Sequence, residues 1–204
     1  MKTAVVVLLV CFVGCGSESP TGSGGAGGSG GAGGGSGGAG GTGGTGGSGG
    51  TGGSGGAGED LDMQASDFEC ILRWQKVRAF RITNKLGHMD QALAVANSAT
   101  GGRYPVGTVI QLIPNEASVK RRQGFSAQTD DWEFFSLSTS SSGTTISKRG
   151  TTDVVNAFGG NCYGCHSKAA PQWDLLCETG HGCDPLPLND ATLQTIQNGD
   201  PRCP

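Results

Sequence analysis

The chain has 204 residues, with 14 Lys and Arg against 17 Asp and Glu and a formal net charge of −3. That mild acidity, with no basic run beyond Lys120-Arg121-Arg122, leaves no electrostatic case for a nucleic-acid partner. Of 40 glycines, 25 fall between Thr21 and Gly58, so the remainder has ordinary glycine content and suits one domain with one core.

At the N-terminus, Lys2 precedes an apolar stretch from Ala4 to Val13. This has signal-peptide length and is too short for a comfortable membrane span. Val13-Gly14-Cys15-Gly16 resembles the lipobox of bacterial lipoproteins, although Phe12 stands where leucine is usual. The pattern predicts a signal peptide over 1–14 and lipid attachment at Cys15. It places the protein at the bacterial cell envelope, facing the periplasm (the outer membrane is the expected one) or exposed at the cell surface. The alternative is an ordinary signal peptide cleaved nearby. Cys11 lacks a preceding small residue and is the poorer lipid site.

Residues 15–58 then carry the lipid site and a tract of Gly with Ser, Ala and Thr. Its loose Gly-Gly-X period resembles collagen, but it has no proline to preorganise that helix. A flexible tether is expected, with an end-to-end distance of about 35 Å.

Residues 59–204 form the predicted domain. Ser66-Asp67-Phe68-Glu69 reads as a capping box opening a helix through Phe68, Ile71, Leu72 and Gln75. Alternation from Val77 to Thr83 predicts a strand, and alanine-rich Asp90 to Ala99 predicts a helix ending at Gly101-Gly102. Strands are expected over Val106 to Ile113, Asp131 to Ser138 and Thr144 to Lys148, with Ser141, Ser142 and Gly143 turning into the last. Val154 to Phe158 leads through Gly159-Gly160 into a short helical turn. This order predicts an α+β domain, mainly an antiparallel sheet with a few helices.

That turn is Cys162-Tyr163-Gly164-Cys165-His166, a C-x-x-C-H pattern with the spacing of a c-type haem attachment site. Two thiols form thioether bonds to the vinyl groups of one haem c, and the adjacent imidazole ligates its iron. Two alternatives exist for these residues. With Cys177 and Cys183 they make C-x₂-C-x₁₁-C-x₅-C, an irregular zinc pattern, and Cys162 and Cys165 could instead pair with each other. Setting aside Cys11, Cys15 and the motif leaves Cys70, Cys177, Cys183 and Cys203 for two disulfides in an oxidising compartment. Three pairings are open from sequence. The candidate sixth ligands to the iron are His88, His181, Met63 and Met89.

Further residues carry a family resemblance. Tyr104-Pro105-Val106-Gly107-Thr108-Val109, then Glu116-Ala117-Ser118-Val119-Lys120, then Asp131-Trp132-Glu133-Phe134-Phe135, the C-x-x-C-H and Asp174 occur in an order that resembles the cytochrome P-460 family, which includes the cytochromes c′-beta. The resemblance covers about Phe80 to Cys177. It implies a mainly antiparallel-sheet domain, often a homodimer, holding one haem with a proximal histidine and an open distal face. It also implies one of two activities. Some members carry a lysine cross-linked to the haem and oxidise hydroxylamine; others lack it and bind nitric oxide or related small ligands at an apolar distal face.

The strand that bears the lysine in that family is here Gly107 to Ile113, and Leu112 or a neighbour occupies its place. Glu116 matches a distal glutamate that accepts protons, and Arg81 matches a distal arginine. The alternatives are a surface glutamate before a strand or turn and an arginine on the exposed face of a strand. The expected function is therefore a lipid-anchored monohaem c-type cytochrome that binds a small diatomic or nitrogen-oxide ligand and exchanges electrons with a redox partner. The alternatives are a plain electron carrier with a Met or His sixth ligand and a hydroxylamine-type oxidase with Glu116 as base.

Overall fold

The computed structural model describes residues 58–156 and 159–204. The predicted signal peptide, Cys15, all of the tether but Gly58, and Phe158 lie outside the described residues. Among the described residues no helix is long and apolar enough to cross a membrane.

Six strands run in sequence order across one antiparallel sheet: β1 (Gln75–Val77), β2 (Phe80–Asn84), β3 (Thr108–Gln111), β4 (Glu116–Lys120), β5 (Trp132–Ser140) and β6 (Gly143–Gly150). Among the described residues three α-helices accompany them: α1 (Met89–Ala96) between β2 and β3, then α2 (Cys162–His166) and α3 (Asp190–Asn198) after the sheet. The architecture is thus the expected α+β, and an antiparallel meander needs only short connections between neighbours.

Several local expectations shift. The helix expected from Ser66 is two separate 3₁₀ turns, Ala65–Asp67 and Ile71–Arg73. The reciprocal cap joins Gln64 and Asp67, the backbone leaves the helical region at Phe68, and it becomes extended at Trp74. The single strand expected over Val77 to Thr83 is a hairpin, because Arg78 adopts φ 47° and turns the chain between β1 and β2. Strand β4 and helix α3 were not anticipated. Ala117 and Val119 do alternate with Glu116, Ser118 and Lys120, the period-2 signal of a strand, but they span only five residues.

Period-2 alternation also divides the sheet into two faces. One buries Phe80, Ile82, Ile110, Trp132 and Phe134 in a cluster with Tyr104, Val154, Cys162 and Leu176. The cross-strand row Ile82, Ile110, Ser118, Phe134, Gly150 runs along it. The other face buries Val109, Ala117, Val119, Phe135 and Leu137 against Met63, Phe68 and Trp74 of the N-terminal segment. The sheet therefore lies between the chain before β1 and the chain after β6.

Among the described residues two disulfides close the fold, Cys70–Cys203 and Cys177–Cys183. This is one of the three pairings open from sequence. The first joins the ends of the domain across 133 residues, where loop-closure entropy contributes about 4–5 kcal/mol; the short second loop contributes about 2 kcal/mol. Gly107, in the Tyr-Pro-Val-Gly-Thr-Val stretch, adopts φ 83°, and a Cβ there would stand 2.6 Å from Leu86. Only glycine permits that turn into β3.

Candidate functional site

The C-x-x-C-H residues form α2, and local chemistry fixes where it starts. Asn161 is its N-cap, with Oδ1 accepting from the Gly164 amide at 2.6 Å, while Asn161 Nδ2 donates to the Thr152 carbonyl. The Cys162 amide donates to the carbonyl of buried Val154. A single turn then carries Cys162, Cys165 and His166, with i,i+3 and i,i+4 spacing from Cys162. Cys162 is buried and Cys165 exposed, and neither is in a disulfide, whereas the other four described cysteines are. The disulfide Cys177–Cys183 removes two of the four thiols that a zinc site would need.

Burial, reinforced by the nearby charge of Glu116, pushes the Cys162 thiol up to about 12. Burial likewise lowers the pKa of His166 and favours its neutral form. The His166 ring tilts against Phe134 of β5, with centroids 5.1 Å apart. Its Nδ1 lies 2.6 Å from the Leu175 carbonyl oxygen. A carbonyl only accepts, so Nδ1 carries the proton and Nε2 keeps the lone pair. Two reduced thiols and a neutral imidazole with Nε2 as its donor atom make the set a covalently attached haem requires, so the residues fit that group.

A second cluster supports the Leu175 carbonyl. After a 3₁₀ turn (Pro171–Trp173), Asp174 and Leu175 adopt φ 50° and 60°, a left-handed region costly to residues with a Cβ. The Asp174 carboxylate accepts from Lys120 Nζ at 2.7 and 2.8 Å and from the Tyr104 amide at 2.8 Å. Its backbone carbonyl accepts from Trp132 Nε1 at 2.7 Å. Lys120 Nζ also donates to the Asp130 carbonyl at 2.6 Å. Burial pushes the Asp174 carboxyl up and the Lys120 ammonium down, and each is opposed by the charge of the other. This pair was not read from the sequence as a pair: 54 residues separate its members.

The remaining candidates divide between the faces. Glu116 opens β4 on the face of Cys162, near enough for its charge to act on that thiol, and one of its carboxylate oxygens is shielded from water. Arg81 alternates with Phe80 and Ile82 and leaves by the opposite side, where Nε donates to Gln197 Oε1 of α3 at 3.1 Å. The structure brings Glu116, and not Arg81, to the motif.

Among the possible sixth ligands, Met63 is buried in the cluster on the far face. His88 pairs with Glu59 through Nε2 at 2.9 Å. His181 stacks on Trp173 at 3.8 Å, holds the Leu176 carbonyl through Nδ1, and lines a small cleft with Arg78 and Tyr104. Met89 packs on the cluster that contains Cys162, and His181 meets the same cluster at Leu176.

Comparison with known protein families, with curated proteins and with solved structures finds no match to this chain in any of the three.

Proposed function

We propose that this chain is an exported monohaem c-type cytochrome of the cytochrome P-460 type, anchored by lipid at Cys15, that binds nitric oxide or a related small nitrogen or oxygen species. The observation that carries the reading is the pair of reduced thiols on one helical turn beside a neutral histidine anchored through Nδ1. An antiparallel sheet preceding the motif is the architecture the family resemblance implies. A bound haem c supplies an iron that takes up small ligands and cycles between ferrous and ferric states.

The protein's own residues do the rest. Cys162 and Cys165 fix the group to α2, and His166 offers Nε2 from one side. Phe134 lies against the ring on that side. Glu116 is the carboxylate placed to exchange protons with a ligand near Cys162. Strand β3 carries no lysine, and the Lys120 amine is held by Asp174 and Asp130, so ligand binding is favoured over hydroxylamine oxidation.

Optical spectra of the purified ferric and ferrous protein, with and without nitric oxide, test this. We expect a thioether-type haem spectrum, a five-coordinate resting iron and a ferrous spectrum that shifts on adding nitric oxide. A low-spin, six-coordinate spectrum indifferent to nitric oxide and carbon monoxide would sink the reading. It would favour the plain electron carrier, with Met89 or His181, both of which meet the Cys162 cluster, as sixth ligand.

A further inference from the structure

We infer that Lys120 and Asp174 are positioning residues for His166, holding the Asp174-Leu175 turn so that the Leu175 carbonyl fixes the orientation and electron-donating strength of the imidazole. The inference rests on the haem reading above and adds residues that touch neither thiol nor imidazole.

Four hydrogen bonds from three donors converge on Asp174, the residue preceding the carbonyl that meets His166. Lys120 Nζ comes from β4, Trp132 Nε1 from β5 and the Tyr104 amide from the segment before β3. Trp132 and Phe134 stand two apart on β5, so one strand face holds both the turn, through Trp132, and the ring, through Phe134. The turn is pinned on either side as well. Gly102 donates to the Gln172 carbonyl at 2.9 Å, and a Cβ on Gly101 would stand 2.1 Å from that same oxygen. On the other side the Cys177–Cys183 disulfide follows directly, with Cys177 Sγ 3.4 Å from the Cys165 carbonyl oxygen.

Stability alone accounts poorly for this arrangement. A buried ion pair loses in desolvation much of what it gains in attraction, and an apolar pair of equal volume often serves a core as well. What the pair supplies that apolar side chains do not is direction. It holds two consecutive non-glycine residues in left-handed backbone, with φ 50° and 60°, and so points a carbonyl at Nδ1. An Nδ1–H bonded to a strong, fixed acceptor makes Nε2 the better donor, because partial loss of that proton enriches the ring. Stronger donation stabilises ferric over ferrous iron and stiffens the bond between iron and nitrogen.

The test uses the haem-loaded protein and reads resonance Raman and redox titration rather than turnover. Asp174→Asn keeps an acceptor for the Tyr104 amide and removes the charge that Lys120 faces. With covalent haem retained, it is expected to move the iron–histidine stretching band to lower frequency and the midpoint potential to a more positive value. Trp132→Phe removes the donor to the Asp174 carbonyl while keeping the Lys120 and Asp174 charges, and is expected to shift both quantities in the same direction by less. It decides the matter should Asp174→Asn fail to accumulate folded. Haem-loaded variants whose band and potential match the wild type would overturn the inference, leaving the haem reading intact. Absence of covalent haem from the wild-type protein would overturn the haem reading first, and this inference with it.

Discussion

The two faces of the sheet bury charge in different ways. On the face toward the N-terminal segment, Glu133 lies between Arg121 and Arg149, which reach out to Asp60 and Asp62. These groups lock residues 60–63 onto the sheet, and Arg149 Nη1 also donates to the Met63 carbonyl. On the face toward α2, one pair, Lys120 and Asp174, holds a turn whose next carbonyl meets an imidazole. The first network ties chain to chain; the second ends at a histidine beside two reduced thiols. Buried charge on one face thus acts as a fastener, and on the other as a mount.

The cysteines divide along the same line, and they offer the sharpest way to break the comparison. Replacing Cys162 and Cys165 by alanine is expected to abolish covalent haem entirely while leaving the disulfide-closed domain folded. The Cys70→Ala/Cys203→Ala variant is expected to keep its haem spectrum and lose about 4–5 kcal/mol in denaturant unfolding, the value for a loop of that length. Haem content by pyridine haemochrome and stability by urea titration separate the two. Retention of covalent haem without Cys162 and Cys165 would collapse the distinction.

The same division shows which parts of the molecule were legible in the sequence. The long strands β5 and β6, helix α1 and the turn of α2 were readable because alternation, alanine content and motif spacing are local signals. The hairpin at Arg78 was not, since a non-glycine residue with positive φ leaves no mark in composition. Nor was the helix expected after Ser66, where packing of Phe68 and Trp74 on the sheet overrides a local cap. In the site, Cys162, Cys165 and His166 announce themselves by spacing. The Leu175 carbonyl could not be read in advance, because any residue type presents a backbone oxygen; what aims it is tertiary. Which sheet face each distal candidate takes could not be read either: β4 puts Glu116 on the face of Cys162, and Arg81 alternates to the other.

The fastener face makes the next largest prediction. Glu133 is buried, with Arg149 Nε at 2.6 Å and the Arg121 guanidinium beside its other oxygen. Glu133→Ala would leave two guanidinium groups facing each other with little water to screen them. Removing one partner of a buried pair costs about 3–5 kcal/mol. Urea unfolding should show that loss, while the optical spectrum and response to nitric oxide stay as in the wild type. A change in the spectrum comparable to that of Asp174→Asn would mean the two faces are coupled through the sheet rather than separate in role.

The smallest expected effect concerns pH and the root of the tether. Asp60 accepts from Arg121 Nε and Nη2 at 2.9 and 2.8 Å and from the Arg122 amide at 2.9 Å. The Arg121 guanidinium holds its carboxyl down at about 2, below the usual carboxylate value of about 4. A group whose folded pKa is depressed contributes stability that is complete above its unfolded pKa and is lost as pH falls through the folded one. Asp60 should therefore contribute about 1–2 kcal/mol at neutral pH, a figure reduced for its partial exposure. That contribution should fade between about pH 4 and about pH 2. Comparing wild type with Asp60→Asn isolates it from the other carboxylates: the gap in unfolding free energy should be full at about pH 6 and close near pH 2. A gap independent of pH would show that Asp60 holds the segment by shape and neutral hydrogen bonds instead of charge, and the fastener would then work without the ion pairs that distinguish it from the mount.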